Sequence, residues 1–91
     1  MSEARYQRHP DLRLTALEGE GVVLHLKERR YFTVNETGLA LLEALKQPRS
    51  LNDLVASLIA EYEVTEEMAT ATTRAFLAQC LDSAVVLEQT G

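Results

Sequence analysis

The chain has 91 residues, of which 46% are hydrophobic and 25% are charged, so it is long enough for one domain with one modest core. This composition argues against disorder, and no apolar run approaches the roughly 20 residues that a membrane-spanning helix needs. The net charge of −5 is concentrated in residues 50–91, where one arginine faces seven acidic side chains, so this half is a poor partner for nucleic-acid phosphates.

The cysteine and histidine residues give no indication of a catalytic or metal centre. Cys80 is the only cysteine, so no internal disulfide forms, which fits a reducing compartment. It lies on the apolar side of a predicted helix, and nothing in the sequence places His9 or His25 beside it, so we expect a small buried side chain rather than a nucleophile. Residues 1–12 lack the apolar segment of a secretory signal, and we expect a folded cytosolic protein without metal or cofactor.

Two strands joined by a tight turn are predicted near the start of the chain. Alternating apolar residues from Leu12 onward predict the first strand, and residues 18–21 supply a turn whose glycines tolerate positive φ. A second alternating segment follows over residues 22–27. Its alternation places His25 on the polar face, where we expect a solvated side chain.

The next segment, residues 30–34, predicts a third strand that turns directly into a helix. Its alternating aromatic and β-branched residues suit a half-buried pleated surface. Asn35 ends the strand, because its side-chain oxygen can accept from backbone N–H groups two or three residues further on. From Gly38 apolar residues recur at helical spacing, so the first helix is predicted to end around Gln47, before a proline.

Two further helices are predicted in the second half. Ser50 followed by Asp53 resembles a capping box, and apolar residues at intervals of three and four through Tyr62 predict an amphipathic second helix. Thr65 and the two glutamates after it mark the start of a third helix, over about residues 66–83.

Two faces can be drawn on the third helix. The larger apolar side chains predict a core stripe of Met68, Phe76, Leu77, Cys80, Leu81 and Ala84. A second row of mostly small side chains consists of Ala71, Arg74, Ala75, Ala78 and Asp82. This second row is either an exposed face rich in alanine because alanine favours helices, or a shallow trough where another backbone approaches.

Three strands followed by three helices with short connections predict an α+β domain built on an antiparallel meander. Residues 1–10 have no apolar periodicity, so we expect a flexible lead-in to a domain over residues 11–91. The meander leaves its third strand at an edge, whose unpaired N–H and C=O groups suit the addition of a partner strand. No phosphate loop, nucleophile with a matched base or isolated carboxylate pair is present, so binding is a better hypothesis than catalysis.

Several stretches from His9 onward carry a family resemblance: HPDLRL, the hairpin, RRYFTVNETGLALLEAL, SLNDLVASLIAEYEVTEE and a last helix with an apolar tail. Through them the chain resembles the PqqD-like family of peptide recognition modules, which bind leader segments of ribosomally made, post-translationally modified peptides. Two positions depart from the family pattern. Leu42 stands where the family often has tryptophan, and Ser83-Ala84 stands where it usually has a glycine ending the last helix.

The resemblance implies a winged-helix-like fold in which the leader peptide adds as a strand to the third strand, in a groove beside the last helix. The implied partners on the strand are Arg29, Arg30, Tyr31, Phe32, Thr33 and Val34. The implied groove wall on the third helix consists of Arg74, Ala75, Ala78, Leu81 and Asp82. The arginines in these two sets either pair with acidic leader side chains or are solvated surface charges.

By the same resemblance the protein would be a non-catalytic adaptor, monomeric or weakly dimeric, that presents a ribosomal precursor peptide to a modifying enzyme or leader peptidase. With no enzyme domain fused to it in this sequence, it is similar to the versions serving pyrroloquinoline quinone or lasso-peptide pathways, and both stay open. A winged-helix DNA-binding regulator and a small structural subunit of a complex are the alternatives. The second and third helices with their link carry one arginine against six acidic residues, so we expect neither nucleic acid nor membrane as a partner.

Overall fold

The computed structural model describes residues 4–89 and contains two small antiparallel sheets and three helices. The elements in chain order are β1 Arg5–Arg8, β2 Leu12–Leu17, β3 Glu20–His25, β4 Arg30–Asn35, α1 Glu36–Ala44, β5 Arg49–Ser50, α2 Leu51–Glu61, α3 Glu66–Asp82 and β6 Val86–Gln89. The predicted α+β architecture, a meander followed by three helices, is confirmed. Among the described residues, no helix combines the length and the hydropathy that crossing a bilayer requires.

The meander has the order β2-β3-β4, with β3 in the middle. Leu12 pairs with His25 at one end of the hairpin and Leu17 with Glu20 at the other. Gly19 has a φ of +76°, so the turn uses the left-handed conformation that the sequence predicts for a glycine. Within residues 4–89, the outer edges of β2 and β4 have no strand partner in this sheet.

The predicted faces of β3 are wrong. His25 is 1% exposed, whereas Leu24 and Leu26 are 40% and 45% exposed. The His25 ring is buried because both of its nitrogens are bonded: Nε2 lies 3.1 Å from the carbonyl oxygen of Ala84, and Nδ1 accepts from the Glu28 N–H at 3.3 Å. Accepting at Nδ1 leaves the ring proton on Nε2, which donates to Ala84.

A second histidine also contacts this buried ring. The rings of His9 and His25 are tilted against each other with their centroids 4.6 Å apart. His9 lies before the meander, 16 residues from His25 in the sequence. The contact arises because the backbone N–H of His9 donates to Val85, which follows α3.

The expectation of a flexible lead-in is wrong for residues 5–8. This segment forms β1, the central strand of a second sheet with the order β5-β1-β6, and it pairs antiparallel with both neighbours. Tyr6 packs against the core. Residues 1–3 lie outside the described part of the chain, and the division into residues 1–10 and 11–91 stays a prediction.

The junction of β4 and α1 forms as the sequence predicts. The Asn35 side chain accepts from the Gly38 N–H at 2.8 Å and caps the helix. A Cβ added to Gly38 would lie 3.0 Å from Cε1 of Phe76 and 3.1 Å from Cβ of Val34. The glycine therefore lets β4, α1 and α3 meet at one point. Helix α1 ends at Ala44, about three residues before the predicted end.

Helix α2 begins with the predicted capping box. Ser50 accepts from the Asp53 N–H, and the Asp53 carboxylate accepts from the Ser50 N–H. The latter bond, from the backbone of Ser50, is the main reason why the pKa of Asp53 is lowered. Leu54, Val55 and Leu58 carry the buried stripe.

Helix α3 is rotated relative to the predicted core stripe. Met68 is 61% exposed, so its assignment to the core is wrong, and the residues that are buried are Ala69, Thr73, Leu77 and Cys80. The smaller Ala69 and Thr73 lie inside because α2 packs closely along this helix.

The end of α3 is strained at the position where the family usually has glycine. Ala84 has a φ of +59°, in the left-handed region that costs a residue with a Cβ about 1–2 kcal/mol. Its carbonyl accepts the His25 bond, so this backbone conformation also serves the buried histidine. The apolar tail after it buries Val85 and Val86 in the core and forms the brief strand β6.

We expect Ala84→Gly to stabilise the domain by about 1 kcal/mol, because glycine adopts positive φ without the steric cost. Chemical denaturation followed by circular dichroism measures the change. Ala75→Gly is the control: it lies on the exposed face of α3, and there the same substitution should destabilise by about 1 kcal/mol. If Ala84→Gly loses as much stability as the control, the backbone at Ala84 is not strained.

Candidate functional site

Strand β4 presents an open edge. It pairs with β3 on one side, from His25 opposite Arg30 to Glu20 opposite Asn35, and no strand within residues 4–89 pairs with its other side. Phe32 and Val34 are half-buried against the core. The outer edge therefore has backbone N–H and C=O groups available to an added strand.

The side chains around this edge are polar or aromatic and largely exposed. Tyr31 is 72% exposed, and Arg29, Arg30 and Thr33 are also exposed. Arg29 has a φ of +53°, which turns the chain into β4. No ion pair within the described residues neutralises either arginine, so both charges are available to a ligand.

Helix α3 approaches the end of β4 through Phe76. The Phe76 ring and Val34 both lie within about 3 Å of the Cβ position at Gly38, which brings this side of α3 to the end of the strand. Thr72 and Gln79 stand four residues before and three after Phe76, so they lie on the same side of the helix, and both are exposed. We define the β4 groove as the space between the open edge of β4 and this side of α3.

The helix residues that the resemblance selects do not lie on the Phe76 side. Arg74, Ala78 and Leu81 line a shallow cavity of about 390 Å³ with Tyr6, Leu51 and Leu77, next to β1 and α2. At 100° per residue, Ala75 and Asp82 point away from the core, and both are exposed. The structure thus brings residues 29–34 together, but it does not bring Arg74, Ala78 and Leu81 to them.

Phe76 lies near the end of β4, and helical spacing places Thr72 and Gln79 on the same side of α3; none of the three was predicted to contact a ligand. By size, Phe76 is a predicted core residue, and the sequence gives the two polar residues no role. Gly38 in the first turn of α1 was the available signal, because a glycine near a helix start indicates a close approach by another element.

Cys80, the one candidate nucleophile, has the wrong environment for catalysis. It is 5% exposed, and burial raises the pKa of its thiol to about 12, so the thiolate is scarce at neutral pH. Within residues 4–89, no group of three or more His, Cys, Asp or Glu side chains is arranged to hold a metal ion.

Comparisons with known proteins identify a family model and two solved structures of similar fold. Residues 20–86 match the family model described as Coenzyme PQQ synthesis protein D (PqqD). The structure of TbiB1 in complex with the TbiA(beta) leader peptide is 20% identical, with a TM-score of 0.79 over 93% of this chain and 99% of that chain. Lasso peptide synthetase B1 complexed with the leader peptide is 21% identical, with a TM-score of 0.74 over 90% of this chain and 96% of that chain. At these identities the likeness concerns the fold. No curated protein sequence matches.

We expect Cys80 to make stability fall as the pH rises from about 9 to about 12. The unfolded thiol ionises near its ordinary pKa of 9.0, whereas the folded thiol keeps its proton until about 12, so alkaline pH favours the unfolded state. Urea denaturation at several pH values measures the slope. Cys80→Ala lacks the titrating group, so it should lose less stability over this range; an equal loss in both proteins would contradict the prediction.

Proposed function

The chain belongs to the PqqD family, and on that premise we propose that it is a non-catalytic adaptor which binds the leader segment of a ribosomally made precursor peptide. The leader adds as a strand to the outer edge of β4, and the adaptor thereby presents the rest of the precursor to a modifying enzyme or leader peptidase. The observation that carries this proposal is the unpaired edge of β4 beside the Phe76 side of α3.

The pathway that the adaptor would serve is of the lasso-peptide or the pyrroloquinoline quinone type. The family model is described by coenzyme PQQ synthesis, and one structure of similar fold is lasso peptide synthetase B1 complexed with the leader peptide. The single buried cysteine supports action in the cytoplasm, where thiols stay reduced.

The proposed contacts follow from the two sides of the groove. Backbone groups of residues 29–34 supply the strand-to-strand hydrogen bonds, which give affinity with little dependence on leader sequence. Phe32 and Phe76 offer apolar surface to leader side chains, and exposed Arg29 and Arg30 attract acidic ones. Arg74, Ala75, Ala78, Leu81 and Asp82 stay candidates for contact with a leader that continues around α3.

The acidic character of α2 and α3 supports peptide binding over DNA reading. A helix that reads DNA approaches phosphates, whereas Glu61, Glu66, Glu67 and Asp82 on these helices repel them. The comparisons give the DNA-binding alternative no support.

The strand-addition test uses labelled leader peptides of lasso and pyrroloquinoline quinone precursors from the same genome. The leader that binds is synthesised again in two forms. Each form is N-methylated at three alternate backbone amides, and the methylated positions of the second form are shifted by one residue from those of the first. Only alternate amides of an added strand face the protein, so one form should bind about a hundredfold more weakly, at about 1 kcal/mol per lost bond, and the other nearly normally. Equal affinities of the two forms would exclude strand addition. If no leader binds, the proposed adaptor function is wrong.

A second prediction identifies which side of α3 forms the groove wall. Thr72→Trp should weaken leader binding at least tenfold, because its ring fills the β4 groove, whereas Ala78→Trp should change it less than twofold. Both positions are exposed, so both proteins should fold, which circular dichroism checks. The reverse ranking would place the wall on the side of Arg74, Ala78 and Leu81.

A further inference from the structure

A second concave surface lies at the opposite edge of the meander from β4. It is a pocket of about 460 Å³, here called the β2 pocket, formed where β1, β2, β6 and the turn after α1 meet. Its lining residues are Gln7, Arg8, His9, Pro10, Leu12, Arg13, Lys46, Leu87 and Gln89. None of them comes from β3, β4 or α3. Because β2 and β4 are opposite edges of one three-stranded sheet, about 10 Å of sheet separates the pocket from the β4 edge.

The β2 pocket is positively charged on a negatively charged protein. Arg8, Arg13 and Lys46 line it, and no acidic residue does, although the chain has 14 acidic and nine basic residues. Glu88 lies between two lining residues of β6, so strand alternation turns its side chain to the opposite face. Asp11 lies between the lining residues Pro10 and Leu12, but no ion pair within residues 4–89 joins it or another carboxylate to the three cations.

The walls of the pocket are held by hydrogen bonds that leave charges available. Arg8 Nη1 donates to the Leu42 carbonyl at 3.3 Å, and Gln7 Nε2 donates to the Lys46 carbonyl at 3.3 Å. Gln89 also donates to the Gln7 side chain at 2.8 Å, which ties β6 to β1. Arg13 donates one N–H to the carbonyl of its neighbour Leu12, so most of its guanidinium donors can bind a ligand.

The chemistry of the lining favours a polypeptide over a nucleic acid. Leu87 is 42% exposed beside the cations, so an apolar side chain of a ligand has a partner there. His9 is the aromatic residue among the lining side chains, and its ring already contacts His25; no Phe, Tyr or Trp is present to stack a base. A long polyanion would also meet the repulsion of a protein whose net charge is −5, whereas a short acidic segment would not extend beyond the pocket.

From this juxtaposition we infer that the β2 pocket docks an acidic segment of a partner protein, independently of the leader. Carboxylates of the segment pair with Arg8, Arg13 and Lys46, and an apolar residue contacts Leu87. The two surfaces share no lining residue, so a strand added to β4 would leave the β2 pocket open. This inference does not rest on the proposed function.

The test uses a labelled glutamate-rich peptide of about a dozen residues with one leucine. Amide chemical-shift changes on titration should centre on the β2 pocket. The double variant Arg13→Glu/Lys46→Glu should bind the peptide about tenfold more weakly, because two attractive contacts become repulsive. Both residues are exposed, and the variant should fold and bind leader as the unmodified protein does.

The matched control is Lys27→Glu/Arg49→Glu, which changes net charge equally at exposed residues outside the pocket. Its affinity for the peptide should change less than threefold. Equal weakening in both double variants, shifts centred on Arg29 and Arg30, or no binding at low salt would overturn the inference. Tighter binding of a single-stranded RNA oligonucleotide than of the peptide at the same pocket would also overturn it. Loss of leader binding by itself would affect the proposed function and not this inference.

Discussion

The close approach of three elements around Gly38 determines the shape of the β4 groove. A Cβ at this position would meet Val34 at the end of β4 and Phe76 on α3, while Asn35 fixes the first turn of α1 by its cap. A side chain at this position would require the Phe76 ring or Val34 to shift by a few tenths of an ångström. The separation of strand edge and helix therefore depends on one missing side chain.

Much of the fold is predictable because its signals are local. The caps at Asn35, Ser50 and Thr65 and the turn at Gly19 each involve partners within about four residues, and each forms as predicted. The burial of His25 is not predictable in this way, because its partner Ala84 is 59 residues away. Strand β3 has apolar residues on both faces, so its alternation alone does not say which face is inside.

The candidate site also has one part that the sequence predicts and one part that depends on distant packing. The strand edge follows from the order of the meander, which sequence neighbours determine. Its helical wall depends on the rotation of α3 about its own axis, and one residue changes that rotation by about 100°. Large side chains indicated Met68 for the core, whereas packing against α2 buries the smaller Ala69 and Thr73 instead. The residues left the alanine-rich row open between an exposed face and a trough, and only the resemblance selected it for the groove wall; Arg74 and Ala78 face Tyr6 and Leu51.

The pairing of β1 with β6 has a consequence for how this domain can be combined with others. Arg5 lies opposite Gln89, so the chain enters and leaves the described domain at adjacent points. Inserting the domain into a loop of a larger protein, or permuting it circularly, would require only a short connection. An enzyme fused to the domain at this sheet would meet the bound leader at a raised effective concentration. The fusion point would leave the edge of β4 uncovered.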